Sequence, residues 1–452
     1  MIYLVTNQTS INSTFQSKTA EDVLDYFKDI EEIAIDTETE GFDPHTKNLL
    51  TIQFGDRDNQ FVVDTTTVSI QIFKTLLETK TLLLQNAKFD LRFLYKQYII
   101  PFKVYDTFLA ESVLYMGVVN HRKGLDALTE RYCGVKLDKS IRGDIHRYGL
   151  SDAVIEYAGK DVMYLHDIKE KQILLLKEKD LVHALDLDNK FVLALAYTEY
   201  CGIGFDQEFW TYKCKKDAEA LASVTKELDD FILDNNHYKY IDSQLNLFDT
   251  GVSCAINWNS EKQVIPLMKE LKVNTRTKDK KTGKEKDSLE SIVLQSQTNV
   301  HPLVQLYLKY KKVEKLRSSF GSNYLRFVNK RTGRIHTTYK QLVNTGRMSC
   351  GNDKDNAPNL QQVPSDHHRK AFVPRKGNSF ISCDYSSQES RVLAEFSKDK
   401  NLVEFYTSGE ADLHSYAVKL VYPEAKDCNL AEIKDRFKEE RQVMKGFNFA
   451  LA

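Results

Sequence analysis

The sequence contains few cysteines, and none of them are spaced as disulfide or zinc sites usually are. The 452 residues include seven cysteines, an odd number, which lie far apart and form no C-x-x-C pair. This pattern argues against a disulfide framework and against a structural zinc site. We therefore expect a reducing environment, which predicts a cytoplasmic protein.

The sequence also lacks long apolar runs and an excess of charge of one sign. The longest apolar runs, such as 191–197, are too short to span a bilayer, and the first residues do not resemble a secretory signal. The net charge is −1, so any nucleic-acid surface must come from local clusters of basic residues. One Lys-rich stretch, 269–286, is interpreted as a solvated loop, and a basic tip that contacts DNA phosphates is compatible with this interpretation.

The pattern of apolar residues divides the chain into three parts. The pattern predicts a mixed α/β domain over residues 1–180, which becomes mostly helical after about residue 107. It predicts long polar helices over residues 181–330. Residues 331–452 contain short segments that are separated by Gly and Pro. The predicted strands are Ile33–Ile35, Leu50–Phe54, Phe61–Val63, Thr81–Gln85 and Phe380–Cys383. The predicted helices in these segments are Lys88–Lys96, Ser387–Ser397 and Glu432–Ala452.

Four acids and a tyrosine form the first candidate site. Asp36 and Glu38 end a predicted strand and, being two residues apart, point to the same side. Asp90 follows the next strand-to-helix turn, and Tyr157 and Asp161 lie four residues apart on one helix face. Four neighbouring carboxylates repel each other unless cations neutralise them, and Mg²⁺ prefers oxygen ligands. Two such ions can promote hydrolysis of a phosphodiester, and a phenol could orient the attacking water.

This set of residues resembles the DEDD superfamily of exonucleases, in its tyrosine-bearing branch. The three motifs are Asp36-x-Glu38, Asn86-x-x-x-Asp90 and Tyr157-x-x-x-Asp161. The resemblance covers about residues 25–180 and implies an RNase H-like (DnaQ-like) α/β sheet that releases 5′-mononucleotides from DNA 3′ ends. It implies that the four acids bind two Mg²⁺ ions, for which Mn²⁺ is expected to substitute, and that the tyrosine orients the nucleophilic water.

A second group of residues lies near the end of the sequence. Asp384 follows a predicted apolar strand, a usual place for a metal-binding acid. Arg441, Lys445 and Phe449 are spaced by four and share one helix face. Two cations on one stripe suit a triphosphate, and the aromatic ring could pack on a sugar or base. For that helix alone, an amphipathic helix with ordinary basic surface residues is the better interpretation.

The complete series of motifs resembles family A DNA polymerases, the polymerase I family. In chain order the segments are Thr345-Gly346-Arg347, Pro358–Pro364, Asp384–Arg391, Asp412-Leu413-His414 and Arg441–Phe449. With the exonuclease motifs, the resemblance covers nearly the entire chain. It implies a right-hand polymerase, with linker helices and a thumb at 181–330 and a partial palm and the start of the fingers at 331–452.

The resemblance also implies roles for residues that contact DNA and the metal ions. Arg347 would contact the minor groove of the primer–template near the primer end, and Asn359 and Gln362 would also bind DNA. Asp384 would hold both metal ions of the polymerase site. Glu389 would be the steric gate that excludes a ribose 2′-hydroxyl.

The remaining implied roles concern the incoming nucleotide. Arg391 would support the steric gate, and His414 would reach the nucleotide phosphates. Arg441 and Lys445 would bind the triphosphate, and Lys445 could donate a proton to pyrophosphate. Phe449, which is not a tyrosine here, would imply discrimination against dideoxynucleotides.

The sequence departs from the family pattern in two places. Ser387 stands where the family usually has glutamine, which removes one polar contact. The chain ends inside motif B, and the His-Asp pair of motif C does not follow; His166 and Asp167 lie in the exonuclease region. Because phosphoryl transfer by two metals needs a second carboxylate, we expect synthesis to require a missing C-terminal portion. No 5′-nuclease domain precedes the exonuclease motifs, which is similar to the layout of phage enzymes.

The leading hypothesis is a proofreading 3′→5′ exonuclease joined to the N-terminal part of a DNA polymerase. Its expected partners are DNA primer–template, single-stranded DNA 3′ ends and dNTP, with a second chain as one possible source of the missing portion and no membrane. The expected location is the cytoplasm, or the host cytoplasm if a phage encodes the chain. The alternatives are a stand-alone exonuclease whose thumb and palm only hold DNA, and a non-catalytic DNA-binding assembly subunit.

Overall fold

The computed structural model describes residues 1–8, 13–137, 149–235, 237–242, 253–279, 282–351, 357–364, 367–409 and 412–451. These residues form two compact units, 1–376 and 377–452. The domain boundaries expected at 180 and 330 both lie inside the first unit, and the division into three domains stays a prediction. Among the residues described, none of the helices combines the length and the apolar character that a membrane span needs.

A seven-stranded mixed sheet organises the N-terminal part of the first unit. The strands are β1 (Ile2–Val5), β2 (Gln16–Lys18), β3 (Glu32–Thr39), β4 (Leu49–Gly55), β5 (Gln60–Asp64), β6 (Thr81–Leu84) and β7 (Lys103–Asp106). Their order in the sheet is β2-β1-β5-β4-β3-β6-β7, in which β4 runs antiparallel to both β3 and β5 and the other neighbours are parallel. The predicted mixed α/β architecture is therefore confirmed, and the four strands predicted in this part are all present.

Burial explains why these short apolar segments become strands. All of β5 and nearly all of β4 are buried, and Ile33, Ala34 and Ile35 of β3 are buried as well. Fully buried phenylalanines, including Phe27 and Phe54, fill the core beside the sheet, and each such ring stabilises the fold by about 1.5–3 kcal/mol. Only towards its end does β3 alternate between buried and partly exposed residues, which brings polar side chains to one edge of a rigid core.

Among the residues described, seven helices accompany this sheet, and the helix predicted at Lys88–Lys96 is found with the same bounds. They are α1 (Ala20–Phe27), α2 (Lys74–Thr79), α3 (Lys88–Lys96), α4 (Thr107–Leu114), α5 (Leu125–Cys133), α6 (Asp152–Met163) and α7 (Leu165–Glu178). The long helix α8 (Val182–Cys201) follows and packs against α3. The Tyr95 hydroxyl of α3 donates a hydrogen bond of 3.0 Å to the Leu193 carbonyl of α8.

The rest of the first unit combines helices with short strands. Its helices are α9 (Gln207–Asp234), α10 (Glu261–Glu270), α11 (Ser291–Gln295) and α12 (Pro302–Phe320). Its strands are β8 (Ile203–Phe205), β9 (Ile241–Asp242), β10 (Ser253–Cys254), β11 (Arg276–Lys278), β12 (Glu285–Asp287), β13 (Arg334–Ile335), β14 (Tyr339–Lys340), β15 (Ser349–Cys350) and β16 (Phe372–Val373). Because β8 pairs with both β13 and β16, residues 331–376 belong to the same compact unit as the helices before them.

The Lys-rich stretch is more ordered than its composition predicts. After the end of α10 it forms the antiparallel hairpin β11–β12. Ion pairs of 3.1 Å between Arg276 and Glu285 and of 3.2 Å between Lys286 and Asp279 connect its two arms. Acidic residues thus neutralise part of its positive charge, and contact with DNA phosphates stays a prediction.

The described residues of the second unit form five helices, and the unit has a small core of its own. The core includes Val418, Ile433 and Met444. The helices are α13 (Gln388–Ser397), α14 (Lys400–Thr407), α15 (Leu413–Val421), α16 (Leu430–Arg436) and α17 (Lys438–Leu451). The predicted helix at Ser387–Ser397 is confirmed. The one predicted over 432–452 is divided at Phe437, whose backbone leaves the helical region while its ring packs on the core.

The prediction of a strand at Phe380–Cys383 is wrong. The segment is not in a strand, and the side chains of Phe380 and Ile381 are 56% and 90% exposed. A strand requires a partner for its N–H and C=O groups, and no described strand pairs with this segment. Its apolar composition alone could not supply that partner.

Candidate functional site

Three of the four predicted metal ligands of the exonuclease site come together in the first unit. Asp36 and Glu38 project from the end of β3, and Asp161 projects from α6, which packs against the same strand. Each of the three offers a carboxylate oxygen, and these oxygens all lie within 4.8 Å of one another. A set of oxygen ligands this close suits a hard divalent cation.

The fourth acid, Asp90, lies in the same cavity but deeper. It belongs to the first turn of α3 and is only 3% exposed. The Thr37 hydroxyl, on the strand residue between Asp36 and Glu38, donates a hydrogen bond of 2.6 Å to Asp90 Oδ1. This bond fixes the position of Asp90 relative to β3, although Asp90 is outside the group of three that meets within 4.8 Å.

The carboxyl groups of this cluster have strongly perturbed acidities. Burial raises the pKa of Asp36 well above its ordinary value, and the charges of Asp161, Asp90 and Glu38 raise it further. Burial also raises the pKa of Asp90 to about 7, against the opposing effect of the hydrogen bond from Thr37. These carboxylates are therefore not all ionised at neutral pH without a counter-charge, and this is the environment in which divalent cations bind.

Tyr157 faces the acids from α6, one turn before Asp161. Burial raises the pKa of the Tyr157 phenol, and Asp161, Glu38 and Asp36 raise it further through their charges. The phenol therefore stays protonated at neutral pH. It is suited to hold a water by hydrogen bonding, and it is not suited to remove a proton as a phenolate.

Asp106 is a buried acid that the motif analysis missed. It is 1% exposed and lines the cavity at the end of β7. Its carboxylate accepts hydrogen bonds from the backbone N–H groups of Asn86 and Ala87 at 2.9 Å, and from Phe108 at 2.8 Å and Leu109 at 3.4 Å. It thus holds the turn that leads into α3 and caps α4. Its only sequence signal is an acid at the end of an apolar strand.

The cavity around the acids is large and has an aromatic wall. Its volume is about 1070 Å³, at the upper end of the range for small-molecule pockets. Phe42 lines it with 76% of its surface exposed and meets Phe89 edge to face at 6.2 Å. Residues of β14 and β15, including Tyr339 and Ser349, form another part of the lining. Exposed aromatic rings next to a charged site can stack on nucleobases.

The predicted DNA-binding residues of the first unit lie on its surface. Arg347 is exposed in the turn between β14 and β15, where Gly346 adopts a φ of 75° that favours glycine. The Asn359 side chain accepts a hydrogen bond of 3.1 Å from the Gln361 backbone and starts a short 3₁₀ turn, which places the exposed Gln362. Their contact with DNA stays a prediction.

In the second unit, α15 and α17 bring three predicted nucleotide-binding residues together. Arg441 forms a bidentate ion pair with Asp412, with both contacts at 3.1 Å. His414 Nδ1 lies 3.1 Å from the Asn448 amide nitrogen, and burial and the charges of Arg441 and Lys445 lower the pKa of His414. The spacing on α17 predicts a pair of cations, Arg441 and Lys445. In the structure, His414 of the neighbouring helix α15 lies beside them.

The other predicted polymerase residues are on exposed segments. Asp384 is exposed, as are Glu389 and Arg391 at the start of α13. The Arg391 guanidinium lies over the Tyr406 ring at 4.6 Å, and its Nε donates to the Ser386 carbonyl at 3.0 Å. Phe449 lies on α17, but its side chain is outside what the structure describes.

Comparison with known families matches two segments of the chain. Residues 11–176 match the family described as 3'-5' exonuclease, and residues 237–452 match DNA polymerase family A. Together the two matches cover most of the chain. The first match contains every member of the acid cluster.

Curated relatives and a solved structure agree with these matches. DNA polymerase I of Aquifex aeolicus is 29% identical, over 92% of this chain and 67% of the relative, and that of Borreliella burgdorferi is 28% identical, over 95% and 46%. The chain thus spans between about half and two thirds of the length of these relatives. The relatives extend beyond the matched region, and these matches do not support a second chain.

The fold is also shared with a known polymerase structure. The POL domain of Pol1 from M. smegmatis, solved in complex with DNA primer-template and dNTP, matches with a TM-score of 0.72 at 22% identity, over 95% of this chain and 69% of that chain. The structural match confirms the expected fold, an α/β exonuclease domain followed by a polymerase architecture. The chain therefore carries a 3'-5' exonuclease family domain in residues 11–176 and a DNA polymerase family A domain in residues 237–452, and it is similar to DNA polymerase I over nearly its whole length.

Proposed function

We propose that the first unit hydrolyses single-stranded DNA 3′ ends one nucleotide at a time, in the 3′→5′ direction. The observation that carries this proposal is the convergence of the Asp36, Glu38 and Asp161 carboxylates within 4.8 Å, beside a buried Asp90. The test is an assay of the purified chain with labelled DNA and Mg²⁺. Stepwise shortening from the 3′ end with release of 5′-mononucleotides is the expected result, and a strand that stays intact would refute the proposal.

The four acids fit divalent cations, and Mg²⁺ is the proposed cofactor, with Mn²⁺ as a substitute. Asp36, Glu38 and Asp161 supply oxygen ligands, and Asp90 lies in the same cavity to help hold a second ion. When bound, two such ions would stabilise the charge that develops on the phosphodiester. The chain itself aligns the substrate, because Phe42 offers an exposed ring for stacking and the protonated Tyr157 holds the attacking water.

Replacing Tyr157 by phenylalanine is expected to slow hydrolysis by about 10- to 100-fold, the effect of losing one well-placed hydrogen bond to the reacting water. The KM for single-stranded DNA should stay within about twofold, because the ring and its packing remain. Single-turnover kinetics with saturating enzyme measure the chemical step. An unchanged single-turnover rate would remove Tyr157 from the mechanism.

We also propose that the polymerase-family part binds primer–template and dNTP for template-directed DNA synthesis, as in a proofreading polymerase of the replication machinery. The cluster of His414, Arg441 and Lys445 supports this proposal, because Lys445 and Arg441, whose guanidinium pairs with Asp412 in this structure, lie beside a neutral imidazole in an arrangement that suits a triphosphate. The seven cysteines, all free, are consistent with the cytoplasm as the proposed location.

One observation favours a second candidate function, a nuclease whose polymerase-family part only holds DNA. Asp384 lies on an exposed segment outside any described strand, and among the residues that the structure describes it belongs to no group of acids close enough to share a metal ion. The two candidates differ in their nucleotide dependence. If the polymerase-family part binds nucleotide, the correct dNTP should tighten primer–template binding about tenfold, as measured by fluorescence anisotropy. Lys445→Ala should abolish this gain in affinity without changing the binding of DNA alone. No dNTP effect in the unchanged chain would favour the second candidate.

A further inference from the structure

A buried carboxylate outside the acid cluster connects two walls of the exonuclease cavity. Glu199 lies near the end of α8, is 3% exposed, and falls outside the segment that matches the exonuclease family. Its Oε1 accepts hydrogen bonds from Lys88 Nζ at 2.6 Å and from the Tyr339 backbone N–H at 2.7 Å. Its Oε2 lies 3.6 Å from Arg92 Nη1.

The partners of Glu199 belong to different parts of the chain. Lys88 and Arg92 are on α3, the helix that carries Asp90, whereas Tyr339 is on β14, which leads to the turn that carries Arg347. Lys88 also donates to the Tyr339 carbonyl. Glu199 and its three partners all line the cavity around the acids. The Glu199 carboxylate, together with Lys88, therefore holds α3 and β14 in place relative to each other.

The placement of these two cavity walls depends on the negative charge of Glu199. A buried carboxylate is tolerated when cations and donors satisfy it, as Lys88, Arg92 and the Tyr339 N–H do here. Removing the negative charge leaves two cations close together and weakens the hydrogen bonds that hold β14. β14 would then move away from the opposite wall of the cavity, while the acids on β3 and α6 keep their own supports and the Thr37 hydroxyl still holds Asp90.

We propose that Glu199 is a positioning residue for the 3′→5′ exonuclease reaction, which sets the distance between α3 and β14 so that the cavity binds single-stranded DNA upstream of the cleaved bond. The inference rests on the proposed exonuclease function. Glu199 is not a catalytic residue, because its contacts are with Lys88, Arg92 and Tyr339. The cavity volume of about 1070 Å³ leaves room for more of the strand than the terminal nucleotide alone.

The test compares two substrates in the full chain with Glu199→Gln. A labelled single-stranded oligonucleotide fills the whole cavity, whereas the p-nitrophenyl ester of thymidine 5′-monophosphate reaches only the acids. We expect the KM for the oligonucleotide to rise about tenfold, because displaced walls misplace the strand. The kcat for the oligonucleotide and both constants for the ester should change less than about twofold. Glu208→Gln, an exposed glutamate on α9, is the matched control and should behave as the unchanged chain.

The outcomes separate this inference from the proposed function. If the unchanged chain fails to shorten DNA, the proposed function fails and the inference falls with it. If the unchanged chain shortens DNA but Glu199→Gln has the same KM for the oligonucleotide as the unchanged chain, the inference alone is overturned. It is also overturned if Glu199→Gln loses activity equally on both substrates. Should Glu199→Gln not fold, Lys88→Met tests the same ion pair and must show the same difference between substrates. Where both variants fold, the double variant should raise KM no more than the larger single effect, and additive effects would refute the coupling.

Discussion

Replacing Asp36 and Glu38 together by alanine is expected to reduce the rate of 3′-end shortening by about 10⁴-fold or more, the scale seen when groups that act as a unit are removed. Both carboxylates belong to the group of three that meets within 4.8 Å, so the variant keeps only Asp161 of that group. Asp161 and the deeper Asp90 alone do not suffice to position a divalent cation against the reacting phosphate. The rate is measured with 3′-labelled single-stranded DNA and Mg²⁺ under single-turnover conditions.

The matched control is Glu156→Ala on the same helix as Asp161. Glu156 is exposed and forms an ion pair of 2.6 Å with Lys160, one turn away on the same helix. Surface pairs of this kind contribute little to stability, so shortening by the control should match that of the unchanged chain. The double variant must also keep its circular dichroism and thermal unfolding midpoint. A folded double variant that still shortens DNA within about tenfold of the normal rate would contradict the assignment of the acids.

The acid cluster could be predicted from the sequence because its geometry is mostly local. A strand period of two puts Asp36 and Glu38 on one side, and a helix spacing of four puts Tyr157 and Asp161 on one face. The structure shows the predicted approach of Asp36, Glu38 and Asp161. Their roles in catalysis stay predictions until the variants are measured.

The supports of the site could not be predicted, because they depend on partners far away in the chain. Glu199 meets Lys88 across 111 positions and Tyr339 across 140. Asp106 holds the turn before α3 through backbone N–H groups, which have no side-chain signal. The prediction of a strand at Phe380–Cys383 is wrong for the same reason, because an apolar segment becomes a strand only where another strand pairs with it.

The shifted acidities lead to a second large effect, on stability. Asp90 has a pKa of about 7 in the folded chain and an ordinary value of 3.8, and the shift of Asp36 has the same direction. A group whose pKa is raised by folding binds its proton more tightly in the folded state. Its contribution is complete below the ordinary pKa and is lost as pH rises through the folded one. Without metal, the fold should therefore become less stable as pH rises from about 4 to 8.

The size of this loss of stability follows from the shift in the pKa of Asp90. Between pH 5 and pH 8 its ionisation should lower the free energy of unfolding by roughly 2–3 kcal/mol, from 1.36 kcal/mol per pKa unit. The measurement is urea unfolding in metal-free buffer at both pH values, for the unchanged chain and for Asp90→Asn. Other groups titrate in both proteins, so the difference between the two proteins isolates Asp90. Asp90→Asn should gain stability relative to the unchanged chain at pH 8 more than at pH 5, and a constant difference would contradict the prediction.

Mg²⁺ should reverse this loss of stability. A cation that binds only the folded chain stabilises it by about 2.7 kcal/mol at 100 times its Kd. At pH 8 the ionised acids should bind Mg²⁺ well, whereas at pH 5 protons compete for the same oxygens. The same cluster would thus destabilise the metal-free fold and bind the metal, because both effects arise from negative charges held close together by β3, α3 and α6. If Mg²⁺ raised the unfolding free energy equally at both pH values, it would be binding elsewhere.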